Sequence, residues 1–112
     1  MSISDIHSSD GQNKNSGHRS RLRQRFLMGG LDSFLDYEIV ELLLTLGTPR
    51  KDCKAIAKEA IKKFGGLREV LDAPLTELQE MNGIGPNNAF GIKLFQAIAE
   101  RHAREQISEK IA

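Results

Sequence analysis

The sequence predicts an all-α domain, on three observations. Apolar residues recur at helical spacing through most of the chain, glycine pairs interrupt that pattern, and no segment alternates apolar and polar residues as a β-strand would. The chain has 112 residues, of which 39% are hydrophobic and 28% charged, a composition typical of one soluble domain with a modest core. We therefore expect about five helices around a single core.

The N-terminal residues 1–16 differ from the rest of the chain. They are rich in Ser, Asn, Asp and Gly and include two Ile as large aliphatic residues, too few to offset the entropy lost on ordering. We expect a disordered tail over 1–16 and a folded domain over 17–112.

Two helices are predicted in the first half of that domain. The first holds Leu22 and Phe26 four residues apart and should stop at the glycine pair 29–30. Asp36 is suited to cap the second helix, whose run IVELLL is apolar almost all round and which should end at Gly47. This second helix should lie at the centre of the domain.

A third helix should open with Pro49 and Asp52 and end at Gly65. Its spacing gives it an apolar stripe, formed by Cys53, Ile56, Ala57, Ala60, Ile61 and Phe64. The stripe should bury the helix along one side.

The remaining segments are also helical in pattern. A short turn or helix over 67–71 leads to Pro74 and the segment LTELQEM, and after the motif NGIGP the longest helix should run from Asn87 to about Gln106. The predicted core consists of Leu42, Leu43, Ile56, Ala60, Phe64, Leu78, Ile84, Ile92, Phe95 and Ile98.

The chain contains a faint internal repeat. A shift of 36 residues places Gly47 on Gly83 (83 − 47 = 36) and pairs Cys53 with Ala89 without a gap. The repeat is either a degenerate first hairpin beside an intact second one, or a coincidence.

The motif NGIGP predicts a very tight turn between two helices. Gly83 and Gly85 would permit positive φ or close approach, Ile84 would insert into the core, and Pro86 suits the first position of a helix because it has no N–H. Unpaired backbone N–H groups at a helix N-terminus form a ready site for a phosphate oxygen. Here those groups belong to Gly85, Asn87 and Asn88. Such a site binds the nucleic-acid backbone and carries no base sequence, although the same dipeptides also occur in ordinary helix connections.

Basic residues form a second candidate DNA contact, on the third helix. Arg50, Lys51, Lys54, Lys58 and Lys62 fall within about a third of its circumference. They would either follow phosphates or keep the domain soluble. The full set of expected DNA contacts is Gly83, Ile84, Gly85, Asn87, Asn88, Lys93, Lys51, Lys54 and Lys58.

Arginines dominate the first helix, where their alternate spacing spreads them around its axis. They are Arg19, Arg21, Arg23 and Arg25. They would either clamp DNA or pair with acids of the next segment, and we favour internal pairing. Those acids are Asp32, Asp36, Glu38 and Glu41.

The sequence offers no catalytic or metal-binding constellation. Glu38 and Glu41 are expected on the exposed edge of the central helix, and the histidines, His7, His18 and His102, are far apart in the chain. The single cysteine cannot form an internal disulfide. We expect no metal, no cofactor and no enzymatic activity. Without a run of about 18 to 20 apolar residues we also expect no membrane span and a cytoplasmic protein.

Three segments together resemble the N-terminal domain of the RadC family of bacterial proteins, long labelled DNA repair proteins. They are GHRSRLRQRFL, DYEIVELLLTLGTPRKDCKAIAKEAIKKFGG and LQEMNGIGPNNAFGIKLFQAIAERHA. The resemblance covers about residues 17–106. It implies a five-helix domain of the helix-hairpin-helix or SAM-like kind, similar to the second domain of the Holliday-junction-binding protein RuvA. In the family this domain is usually followed by a JAB or MPN-type domain with a metal-binding His-x-His.

The sequence departs from that family pattern in two respects. It has no His-x-His, so no residue of a metalloprotease-like site can be carried over. Many family members have Lys or Arg in the first turn after the second glycine, where this chain has Asn87 and Asn88. An amide offers a hydrogen bond where a cation would add charge.

The predicted function is a non-catalytic module of a RadC-type, DNA-repair-associated protein that binds DNA phosphates through 83–88 without sequence preference. The alternative is a protein-interaction or dimerisation module that accompanies a JAB/MPN domain absent here. A third reading is an enzyme whose catalytic domain has been removed. A contiguous basic surface around the hairpin would favour DNA binding, and a cluster of exposed Leu or Phe would favour the interaction module. The oligomeric state is left open.

Overall fold

The computed structural model describes residues 14–48 and 52–111, with side chains for 17–48 and 52–107. All regular structure in these ranges is helical, which confirms the all-α class. The helices are α1 (Lys14–Gly29), α2 (Asp36–Thr45), α3 (Cys53–Phe64), α4 (Leu67–Asp72), α5 (Leu75–Gln79) and α6 (Pro86–Ile111). The described chain thus has six helices, because the segment predicted as a turn or helix over 67–71 is helical.

The cap residues predicted at the two ends of α3 are confirmed. The Asp52 side chain accepts a hydrogen bond from the Lys54 N–H at 2.9 Å, so it caps the helix. Gly65 follows the last residue with φ 114°, a left-handed conformation that favours glycine. The first helix, α1, begins at Lys14, three residues before the predicted start at Gly17 (17 − 14 = 3).

The N-cap of α2 was predicted wrongly. The capping position is Leu35, whose N–H donates to Glu38 Oε1 at 3.0 Å. Asp36 lies inside the helix and accepts a hydrogen bond from the Leu67 N–H at 3.2 Å, which ties the start of α4 to α2. The N–H of Glu38 donates to the Leu35 carbonyl at 2.9 Å, so the third residue of α2 does not need a side-chain acceptor at the cap.

The core lies between α2, α3 and the first half of α6, and the packing is most extensive between α2 and α3. Its buried members are Val40, Leu44, Cys53, Ala57, Ala60, Val70, Ala73, Leu78, Ile84, Ala89 and Ile92. Two predicted core residues are wrong, since Phe95 and Ile98 are 48% and 57% exposed. Residues 42 and 43 are only half-buried. Phe95 lies beside Leu43 and Leu46, but no described residue covers its outer side.

Candidate nucleic-acid interface

The inner side of the turn between α5 and α6 is packed tightly into the domain. Ile84 is buried in the core cluster, as predicted, and its N–H donates to the Met81 carbonyl at 3.2 Å. Gly83 has φ 93°, and a Cβ there would lie 2.5 Å from Ile56 Cδ1 on α3. Both the backbone conformation and the space therefore require glycine at this position. This contact also fixes the turn against the first half of α3.

The outer side of the same turn is open. Gly85 is exposed, does not have a positive φ, and would place a Cβ with nothing within 4 Å. Its carbonyl accepts a hydrogen bond from the Ala89 N–H at 3.0 Å, so Gly85 is the N-cap of α6 and Pro86 is its first residue. Within the described residues, the N–H groups of Gly85 and Asn87 have no acceptor. They lie at the positive end of a helix of 26 residues.

Asn88 does not lie where the sequence placed it. Its side chain is 7% exposed, its Nδ2 donates to Thr48 Oγ1, and a Cβ on Gly47 would collide with its Oδ1. The Asn88 amide, which the sequence offered at the surface of the turn, therefore makes an internal contact with Thr48. At a helix N-terminus one residue is enough to rotate a side chain by about 100°, from the exposed Asn87 to the buried Asn88.

Lys93 is also occupied within the domain. Its half-buried side chain donates from Nζ to the Leu71 carbonyl at 2.9 Å, at the C-terminal end of α4. One turn further on, Gln96 Nε2 donates to Asp72 Oδ1 at 2.5 Å. These two bonds attach α4 to α6, so the Lys93 ammonium is engaged within the domain, and its role as a DNA contact stays a prediction.

The basic face of α3 is present in part. Lys58 is exposed, with its Nζ 4.9 Å from the centroid of the Tyr37 ring, and Lys54 is half-buried at the start of the helix. Lys51 and Arg50 lie outside the described residues. The contact between Ile56 and Gly83 places this helix directly beside the hairpin turn.

Sequence reasoning missed a polar cluster between α1, α2 and α3. Glu41, expected on an exposed edge, is 2% exposed, and its Oε2 lies 2.7 Å from His18 Nε2. Arg19 donates to the Thr48 carbonyl and lies with its guanidinium 3.7 Å from Cys53 Sγ. Burial raises the pKa of the Cys53 thiol, so it is a poor nucleophile. The run IVELLL could have predicted the burial of Glu41, because a helix that is apolar all round buries any acid within it.

Internal pairing of the α1 arginines is present for Arg25. Its guanidinium binds both carboxylate oxygens of Glu38, at 3.0 and 3.2 Å, and stacks over the Phe34 ring at 4.3 Å. The hydrogen bond from Arg25 lowers the pKa of the Glu38 carboxyl. This arginine is therefore committed to the fold.

Two classes of site are not found in the described part of the chain. No three His, Cys, Asp or Glu side chains there are grouped so as to hold a metal ion. None of the helices described is long and apolar enough to cross a membrane.

Together these features define an all-α domain with open backbone donors at the start of the longest helix described. The chain belongs to the UPF0758 family, since the model of the UPF0758 N-terminal domain matches residues 14–90. This is the N-terminal region of RadC-type proteins, so the resemblance described above is confirmed.

Two curated relatives carry the same family name. A UPF0758 protein of Fusobacterium nucleatum subsp. nucleatum is 41% identical over 96 residues, which are 86% of this chain and 41% of the relative. A UPF0758 protein of Ruegeria pomeroyi is 39% identical over 93 residues, 83% of this chain and 42% of the relative. The chain thus spans about two fifths of the length of these relatives. No solved structure matches it significantly.

Proposed function

We propose that this domain is a non-catalytic module that binds DNA phosphates without sequence preference, as the RadC resemblance implies. The contact is the outer side of the turn between α5 and α6, at Gly85 and Asn87. The proposal applies to this domain alone and makes no claim about the other parts of its longer relatives. It also includes a cytoplasmic location.

The observation that carries the proposal is the contrast between Gly83, where the fold requires glycine, and Gly85, where it does not. No described residue requires glycine there, because the backbone is not in the left-handed region and a Cβ would have nothing within 4 Å. Glycine at an exposed N-cap does let an external group approach the backbone closely. The two open N–H groups of Gly85 and Asn87 supply hydrogen bonds to a phosphate oxygen, and the helix dipole favours its charge.

The basic face of α3 adds positive charge to the domain. Lys54 and Lys58 lie two residues before and after Ile56, so they project from the side of α3 that faces away from its contact with the hairpin. Since Asn88 is buried and Lys93 is engaged, these lysines supply most of the long-range attraction to DNA in this proposal. Binding through so few charges should be weak, with a Kd of about 1 to 100 μM, and should fall only shallowly with salt.

The test measures fluorescence anisotropy of labelled duplex, single-stranded and four-way-junction DNA at several salt concentrations. Gly85→Val should weaken binding at least about fivefold, since the new side chain blocks approach to the backbone donors. Gly29→Val is the matched control, because Gly29 is equally exposed, has no positive φ and would meet nothing within 4 Å. Circular dichroism should show native helicity for both variants.

Lys54→Glu combined with Lys58→Glu tests the contribution of the basic face of α3 and should reduce both affinity and salt dependence. If Gly85→Val leaves affinity unchanged while the lysine pair abolishes it, the hairpin is not the contact and α3 alone is. If none of these variants changes affinity, the DNA-binding proposal fails and the domain is better regarded as an interaction module.

A further inference from the structure

Two carboxylates of α2 face α1, and each contacts a different kind of cation. Glu38 binds Arg25 through both of its oxygens, at 3.0 and 3.2 Å. Glu41, three residues later, has its Oε2 2.7 Å from His18 Nε2. An arginine stays charged at neutral pH and above, whereas a histidine changes its charge between about pH 5 and pH 8. The second contact between these helices therefore depends on pH, and the first does not.

The two partners of the second contact are buried to different depths. The Glu41 side chain is 2% exposed, whereas the His18 side chain is 35% exposed. Within the described chain neither His18 Nε2 nor Glu41 Oε1 forms a hydrogen bond, so the attraction between the two side chains comes from charge. A buried carboxylate without a compensating cation is costly, because the protein interior solvates it poorly. Loss of the imidazolium charge thus leaves an uncompensated carboxylate inside the domain.

The other ionisable groups near this pair have contacts of their own. On α2, Glu38 interacts with the histidine but is held by Arg25. On α1, Arg19 donates to the Thr48 carbonyl and to Cys53 Sγ at the start of α3. Burial raises the pKa of the Cys53 thiol, so the thiol is neutral at neutral pH. Of these groups, the histidine is therefore the one whose charge changes near neutral pH.

We propose that the contact between His18 and Glu41 is a pH-sensitive latch, which holds the first half of α1 against the domain and releases it as the pH rises above neutral. In the closed domain, rising pH removes the imidazolium charge and leaves Glu41 uncompensated, whereas release of α1 gives this carboxylate access to water. The released state binds the proton less tightly, so it is favoured as the pH rises. Acid has a smaller effect, because protonated Glu41 is neutral and His18 is partly hydrated.

Release of the first half of α1 should uncover the single cysteine of the chain. Cys53 is 3% exposed, and Arg19 of α1 donates to its Sγ. The rest of α1 stays attached, because Leu22 is buried and Arg25 is bound to Glu38. The Cys53 thiol is therefore a natural probe of the latch.

The experiment measures the rate at which dithiodipyridine labels this thiol in the full chain. At each pH the rate in the folded protein is divided by the rate in the protein unfolded in urea, which removes the effect of ionisation of the thiol itself. For the wild type this ratio should rise at least about fivefold between about pH 6 and about pH 8, because opening is linked to the loss of one proton. Circular dichroism should show nearly native helicity throughout.

Four variants test the two partners and a control. Glu41→Gln removes the charge that needs compensation, so its ratio should not depend on pH. His18→Gln should give a high ratio at both pH values, whereas His18→Lys keeps a cation at the higher pH and should hold the ratio low. His102→Gln is the matched control, because His102 is exposed on α6, and it should behave as the wild type does.

Three results would overturn the latch. The first is a wild-type ratio that does not change with pH, and the second is an equal rise in Glu41→Gln. The third is a loss of helicity in parallel with labelling, which would show global unfolding instead of the release of α1. If His18→Gln does not fold, the comparison of the wild type with His18→Lys decides, since an equal rise in both would exclude the histidine. The latch does not depend on DNA binding, because neither partner lies at the turn between α5 and α6.

Discussion

Each side of the turn between α5 and α6 has one glycine and one asparagine, but the two sides have opposite environments. Gly83 and Asn88 face the domain, one against Ile56 and the other against Gly47. Gly85 and Asn87 face outward, without a neighbour that would need them small or polar. The difference teaches that equivalent residues of one short motif have separable environments: Gly83 and Asn88 pack within the domain, whereas Gly85 and Asn87 are exposed.

The largest effect should come from the core residue between the glycines. Ile84→Asp removes a buried aliphatic side chain and leaves an unpaired carboxylate in its place, at a cost comparable to the whole stability of a small domain, about 5 kcal/mol or more. The variant should lose most of its cooperative thermal transition by circular dichroism. A native melting temperature for this variant would contradict the placement of Ile84 in the core.

Gly83→Ala tests the inner glycine. A left-handed alanine and a Cβ pressed against Ile56 should together cost about 2 to 4 kcal/mol. Urea denaturation measures this cost. Gly85→Ala is the control and should cost less than about 1 kcal/mol, because it lacks both penalties.

A double-mutant cycle sharpens that result. Ile56→Ala removes the atoms that the new Cβ would strike, so Gly83→Ala should cost less in its presence. Equal costs in both backgrounds would mean that only the backbone conformation matters.

The two asparagines should respond differently to lysine. Asn88→Lys loses the bond to Thr48 and crowds Gly47, so it should destabilise the domain by about 1 to 3 kcal/mol. Denaturation of this variant beside Asn87→Lys measures the contrast. Equal stability of the two variants would contradict the burial of Asn88.

The smallest effect should be that of Asn87→Lys on DNA affinity. This exposed position gains a cation next to the proposed phosphate site, which should tighten binding. The slope of the logarithm of the binding constant against the logarithm of the salt concentration should become steeper by up to about one. The helix dipole opposes the added charge by about 0.3 to 1 kcal/mol, so the change in stability should be slight. Unchanged DNA binding at low salt would place the phosphate elsewhere.

Local signals in the sequence determined much of this protein. The helical periods gave the all-α class, the Asp52 cap and Gly65 fixed the ends of α3, and the NGIGP motif placed a buried Ile84 before a helix that starts with proline. Each of these depends on φ, on hydrogen bonds within a few residues, or on apolar spacing, which the sequence contains directly.

Only the tertiary structure decided which side of each helix meets a neighbour. Phe95 and Ile98 have the same periodicity as buried residues, yet both are about half exposed, because no other part of the described chain covers that side of α6. Asn88 and Lys93 read as outward donors, yet Thr48 and the Leu71 carbonyl, distant in sequence, accept their hydrogen bonds. Glu41 is buried because α1 brings His18 against α2. Periodicity defines a face of a helix, but long-range packing determines whether that face meets protein or water.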